Sequence, residues 1–438
     1  MQPLLPGDLE HIGADMYGLI ARLYPICRSI TGEGFRSTMR ILQEFIPLAI
    51  NEVPSGTKVF DWTVPKEWNI RDAYVKNLRG ERVVSFNESN LHVVNYSTPV
   101  KARLSRDELQ RHLFSIPEHP KWIPYRTSYY KESWGFCVSH EVLESLNEPE
   151  YEVCIDSSLA NGSLTYGEYL VPGKTDREVL ISCHSCHPSL CNDNLSGIAL
   201  SVFLARCLNQ TRPRYSYRFL FVPGTIGSIT WLALNEQHAS RIAHGLVVAC
   251  VGDPGQMNYK QSRRGNAEID RVVEHVLKHS GKPYKISRFV PYGYDERQYC
   301  SPGFNLPVGS LTRTPNGQYP EYHTSADNLE FVRPEHIVDS FKTYLEIVEA
   351  LEANGIYYNL NPKCEPQLGR RGIYGSVGGG ERGHGFEMAL LWVLNLADGH
   401  ASTLDIAEKA EMPFHTIAEA TEILLKHRLL EMREDEAG

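Results

Sequence analysis

One stretch, Val179 to Ala205, constrains this chain more than any other. The apolar run Val179-Leu180-Ile181 leads into Cys183-His184-Ser185-Cys186-His187-Pro188, then Cys191-Asn192-Asp193-Asn194-Leu195-Ser196-Gly197, and Ile198 to Ala205 continues with helical character. This reads as strand, polar loop and helix, the place where an α/β sheet gathers its ligands. Neutral imidazole and carboxylate are the donor set that suits zinc. Two other readings stay open on these residues alone. Cys183, Cys186 and Cys191 could form a structural zinc knuckle, although no second cysteine pair stands at a matching spacing. Alternatively, the two histidines are satisfied in a core and Asp193 caps a helix.

A chain of 438 residues exceeds what one core usually organises, so two or three domains are expected. Its net charge of −9 and pI near 6.0 disfavour a nucleic-acid partner or an anionic membrane. Met1 to Glu10 lacks a basic segment followed by an apolar one, and no stretch nears the roughly 18 apolar residues of a membrane span. A soluble, cytoplasmic protein with no membrane partner is expected. Ten cysteines are spread along the chain, many within apolar runs, which reads as free thiols in a reducing compartment.

The spacing of apolar residues predicts two helices between Leu9 and Ala49. They are joined by a Gly-rich loop whose Arg28 either reaches a binding site or belongs to an ordinary turn. From 61 to 166, short runs punctuated by Pro, Asn and Gly predict an inserted, mostly β domain. Within it, Ile123 to Cys137 concentrates aromatics, including Tyr130, as either a substrate-binding wall or an interdomain seam. From 167 to 360, strands alternate with helices, as in a mixed sheet with helices on both faces. Segments 1–60 and 167–360 are expected to form one discontinuous domain, with 361–383 as a linker.

Residues 384–438 predict three helices in winged-helix order. That tail holds eleven Asp and Glu against four Lys and Arg, a balance that repels phosphate. Docking or homo-oligomer formation is expected of it ahead of DNA binding.

His184, the short loop, Asn192-Asp193-Asn194-Leu195-Ser196-Gly197 and the small-residue helix resemble the metal centre of M28-type zinc aminopeptidases. They are similar above all to an aminopeptidase-like family described as domain of unknown function 4910. The aromatic segment resembles the β domain that accompanies it, domain of unknown function 2172. The resemblance implies a zinc-peptidase-like α/β fold and a zinc site built from His184 or His187, Asp193, an acid on a later strand and a late histidine. Asp253, after the apolar strand Leu246 to Val251, takes the place of the acid; a turn aspartate before Pro254 is the plain alternative. His323, in His323-Thr324-Ser325-Ala326-Asp327, resembles the late ligand loop. Asp295-Glu296 resembles the substrate loop, where these acids would meet a substrate amine, and Cys186 stands where the family has an aspartate that orients the first histidine.

One departure bears on activity. After the strand Tyr217 to Val222, M28 enzymes carry a Glu-Glu pair, general base and then ligand, whereas this chain has Pro223-Gly224-Thr225. The aminopeptidase-like family itself tends to have Glu then Thr, so Thr225 implies one zinc rather than two, but Gly224 removes the base. General-base assistance contributes roughly 10²–10⁴-fold. Glu321 and Glu296 are the available substitutes. The expected function is therefore a zinc-dependent aminopeptidase or amide hydrolase acting on a peptide or small amino-acyl amide. The alternative is a weakly active or non-catalytic zinc-binding protein of the same fold.

Overall fold

The computed structural model describes residues 6–373 and 384–433; residues 374–383 of the expected linker lie outside them. The apolar runs become the centre of an eight-stranded sheet. In spatial order its strands are Ala49–Pro54, Ser163–Val171, Ser216–Val222, Glu178–His184, Ile242–Val248, Val308–Thr312, Met257–Lys260 and Tyr284–Ser287. The middle four run parallel. Every residue of Glu178–His184 is buried, the pattern of a strand covered on both faces. Because the four strands run parallel, their C-terminal ends share one edge, and His184 stands opposite Val222 there.

The inserted segment forms its own antiparallel sheet, in the order Arg82–Ser85, Glu67–Lys76, Glu150–Ala160, Val100–Ser105. Its core gathers Ala73, Val75, Val84, Phe136, Val153 and Ile155. Arg36 on the helix Glu33–Leu42 ties this sheet down by pairing both oxygens of Glu67, at 2.9 and 2.5 Å. The aromatic segment Ile123–Tyr125 pairs with the loop that carries His323: Tyr125 N–H donates to the His323 carbonyl at 2.7 Å, and Ser325 N–H to the Ile123 carbonyl at 2.8 Å. The aromatic segment thus runs along a seam with the His323 loop.

A second compact unit gathers Glu268–Tyr284 with the chain from Lys342 onward. Strand Ile356–Asn359 lies between Asp398–Ser402 and Leu430–Met432, so the small sheet starts upstream of the expected linker. Helices His384–Leu396, Thr403–Ala410 and Phe414–Lys426 complete a winged helix. Ser402 and Asp405 form a reciprocal capping box that sets the start of the second helix. All ten cysteines are unbridged. Among the described residues, no helix is long and apolar enough to cross a membrane.

Candidate metal centre

The strand ending at His184 and the helix Ser196–Asn209 are joined by a loop that folds back, placing Asp193 under His184 with its side chain fully buried. Three imidazoles converge on that carboxylate. His184 Nε2 stands 2.8 Å from Oδ1, His323 Nε2 3.0 Å from Oδ2, and His187 Nδ1 3.3 Å from Oδ2. The loop turns back enough that His184 and His187, three residues apart, both reach Asp193. Burial alone would push the Asp193 carboxyl up, but the imidazoles outweigh it and hold it well below the usual carboxylate range. Burial likewise lowers the pKa of His187, against the pull of Asp193.

A second layer of contacts fixes this geometry. Asp327 accepts from the N–H groups of Asn192 and Asp193, at 2.5 and 3.0 Å, and burial pushes its carboxyl up to about 8. Asn194 Nδ2 donates to the carbonyls of His184 and Val248, and its Oδ1 accepts from Cys250 N–H. Tyr294 donates to Asp193 Oδ1 at 2.8 Å, so its contact with the Tyr322 hydroxyl at 2.9 Å makes Tyr322 the donor there. The Tyr294 ring stacks on His184 and the Tyr322 ring on His323, with centroids 4.3 and 3.9 Å apart. Tyr125 stands edge-on to both His187 and His323. Nothing in the sequence pattern singled out Tyr294 or Tyr322; the one signal was that each lies beside a residue already of interest, Asp295 and His323.

Other expected site residues are placed differently. Asp253 is occupied as a structural hub: its oxygens accept from Gly255 N–H, Thr314 Oγ1 and N–H, and Asn192 Nδ2. Beyond that strand end, the sulfur of Cys250 lies 4.0 Å from Asp193 Oδ1. Arg28 is turned inward. It is fully buried, donating to the carbonyls of His187 and Leu23, and burial lowers its pKa to about 10. It therefore buttresses the histidine loop. Tyr130 is half exposed at the end of an aromatic ladder, edge-on to Trp62 and Tyr129, and the Tyr129 hydroxyl meets that of Tyr125.

Asp295 is fully buried, with Oδ1 accepting from Thr225 N–H and Ser228 Oγ; burial pushes its pKa up, against the favourable charge of His184. Glu296 is buried and paired with Lys260. Glu321 is half-buried, two residues before His323.

At the neighbouring strand end, Gly224 N–H donates to Cys186 Sγ at 3.3 Å, so Cys186 links the two loops. A Cβ added at Gly224 would meet only Cys186 Sγ and His184 Cβ, both at 3.7 Å, an ordinary contact distance. The left-handed backbone falls on Thr225 instead, at φ 66°. Gly224 is therefore not demanded by the turn.

The mixed sheet, its four central strands parallel, has a zinc-aminopeptidase-like fold, and the His–Asp–His cluster stands at its strand ends. The structure of a zinc aminopeptidase from Bacillus subtilis superposes with a TM-score of 0.58 at 12% identity, over 77% of this chain and 94% of that one. Residues 17–354 match the family described as domain of unknown function 4910, and the chain belongs to that family. Residues 355–432 match a winged helix-turn-helix family. A Clostridium acetobutylicum protein provisionally named as a polysaccharide biosynthesis protein with an aminopeptidase-like domain is 55% identical over 96% of both chains. A crystal structure of a provisionally named peptidase from Clostridium acetobutylicum has a TM-score of 0.93 at 52% identity, over 98% of both chains.

Proposed function

We propose that this protein is a zinc-dependent amide hydrolase of low intrinsic turnover, acting on an amino-acyl or similarly small amide. The observation that carries the reading is the convergence of His184, His187 and His323 on the buried carboxylate of Asp193. Nitrogen and carboxylate donors in a buried, preformed group are what zinc takes. His184, His187, His323 and Asp193 would hold the zinc, which would supply Lewis acidity toward a substrate carbonyl and toward water.

The chain's own residues divide the remaining work. The imidazoles keep Asp193 ionised, and Tyr294 and Asp327 fix its orientation. The ladder Tyr125, Tyr129, Tyr130 and Trp62 supplies a rigid aromatic wall for the substrate. Glu321, on the His323 loop, is the proposed proton acceptor, because Glu296 is committed to Lys260. The relative's provisional name favours trying the amide of a sugar building block beside an amino-acyl amide. Ten unbridged thiols fit a cytoplasmic setting.

The bare position at Gly224 favours a second reading, a zinc-binding protein of this fold without turnover. Hydrolysis of an amino-acyl amide by zinc-loaded protein, followed with and without a chelator, separates the two. Chelator-sensitive hydrolysis that is lost in Glu321→Gln supports the enzyme; no hydrolysis by a zinc-loaded wild type supports the binding protein.

The acidic winged helix is proposed as a docking or self-association module. Its third helix carries Glu419 and Glu422 against Lys426, which opposes the counterion-release term that drives DNA binding.

A further inference from the structure

The cluster is one-sided in the donors considered so far. Asp193 Oδ2 faces two imidazoles, His187 and His323, whereas Oδ1 faces one, His184. On the Oδ1 side the remaining polar partners among the described residues are the Tyr294 hydroxyl and the sulfur of Cys250, 4.0 Å away. The carboxylate expected at this strand end is absent from the cluster, since Asp253 is saturated by Asn192, Gly255 and Thr314.

Cys250 is placed there by the backbone. The strand's last residue is Val248, and Cys250, two residues on, adopts a left-handed φ of 50°, rare for a residue with a side chain. Its N–H is held by Asn194 Oδ1, the residue after Asp193, at 3.2 Å. The side chain is fully buried, and its other polar neighbour is the Tyr319 hydroxyl at 3.6 Å. A conformation that strained persists where the surroundings over-determine it, and here they aim a thiol at a carboxylate already met by an imidazole.

We infer that Cys250 is a sulfur donor in the metal centre, completing an N, O, S set with His184 and Asp193 Oδ1. This rests on the metal-centre reading above and sharpens it. On coordination the thiol proton passes to solvent and the metal–sulfur bond replaces it. A thiolate favours zinc, cobalt or cadmium over magnesium, calcium or manganese, so the centre should discriminate against hard ions.

Cobalt(II) replacement tests this without any assay of turnover. The wild-type cobalt protein should show visible ligand-field bands together with a near-ultraviolet sulfur-to-cobalt charge-transfer band. Cys250→Ser should keep the ligand-field bands and lose the charge-transfer band, while Cys186→Ser keeps both. Ligand-field bands with no sulfur band in wild type, or a sulfur band that survives Cys250→Ser, overturns the assignment and leaves the metal centre standing. Failure of the wild type to bind cobalt or zinc overturns both. Should Cys250→Ser not fold, X-ray absorption of the zinc-loaded wild type and of Cys183→Ser, Cys186→Ser and Cys191→Ser decides. One sulfur at about 2.3 Å from zinc in all four supports Cys250; a shell of nitrogen and oxygen alone, or a sulfur lost in one of the three variants, overturns it.

Discussion

Strands Glu178–His184 and Ser216–Val222 run side by side in parallel and end at the same edge of the sheet. The first delivers His184 into a crowd of donors around Asp193; the second leads through Pro223 to Gly224, which has no side chain at all. Folding does not account for the contrast. Gly224 has an ordinary φ and room for a Cβ, while the unusual backbone sits on Thr225. On the proposed reading, holding a metal and moving a proton are separable properties of adjacent strand ends, and the donors of this chain gather at the first.

The largest expected effect comes from filling the bare end. Gly224→Glu should raise amide hydrolysis by roughly 10²–10⁴-fold, the range of general-base assistance. Initial rates on an amino-acyl amide at saturating zinc are the measurement. A slower variant would mean that Glu321, the acceptor proposed for wild type, already serves as well as a glutamate at position 224 would, and that the contrast between the two ends is only apparent. Glu321→Gln then shows whether Glu321 is that base, through a loss of rate with zinc retained.

Next in size is the loaded end. Tyr294→Phe removes the hydroxyl that donates to Asp193 Oδ1 but keeps the ring on His184. Zinc affinity, measured by competition with a chelator, should fall about 10–100-fold, as for other groups that orient a metal ligand. An unchanged affinity would show that Asp193 is oriented by Asp327 and the imidazoles alone.

How much of this was legible depends on how local the signal was. His184, His187 and Asp193 lie within one strand–loop–helix, so motif and spacing were enough to bring them together on paper. The strand end at Cys250 was harder. The apolar run continues to Val251, three residues beyond the last paired residue Val248, and periodicity cannot place a strand end that finely. Attention therefore went to Asp253, a charged residue that the fold uses to close a turn. Arg28 misled in the opposite way: exposure is the ordinary state of arginine, and only the tertiary fold supplies the His187 and Leu23 carbonyls that pay for its burial. Tyr294 and Tyr322 come from loops distant in sequence, where a lone aromatic carries no pattern. The winged helix was legible because its helices begin and end on local signals, including Ser402 with Asp405.

The smallest effect sets the pH range in which the two ends can be compared. His244 lies near the far end of the strand Ile242–Val248, opposite Val179, and neither ring nitrogen has a hydrogen-bond partner among the described residues. Burial, helped by Arg177 and Arg214, lowers its pKa from 6.5 to about 3. The folded state therefore binds fewer protons than the unfolded state between those values, and its stability falls as pH drops below 6.5. The slope from this one group is at most about 1.4 kcal/mol per pH unit. Urea unfolding between neutral and mildly acid pH should show His244→Phe with a shallower acid loss than wild type; identical slopes would place the acid sensitivity elsewhere.

The central claim is that Asp193 gathers a zinc site, and elemental analysis of purified protein tests it most directly. Wild type should hold about one zinc per chain, Asp193→Asn and His323→Ala should lose most of it, and Asp253→Asn should keep it wherever that variant folds. Zinc undiminished in both Asp193→Asn and His323→Ala would contradict the account.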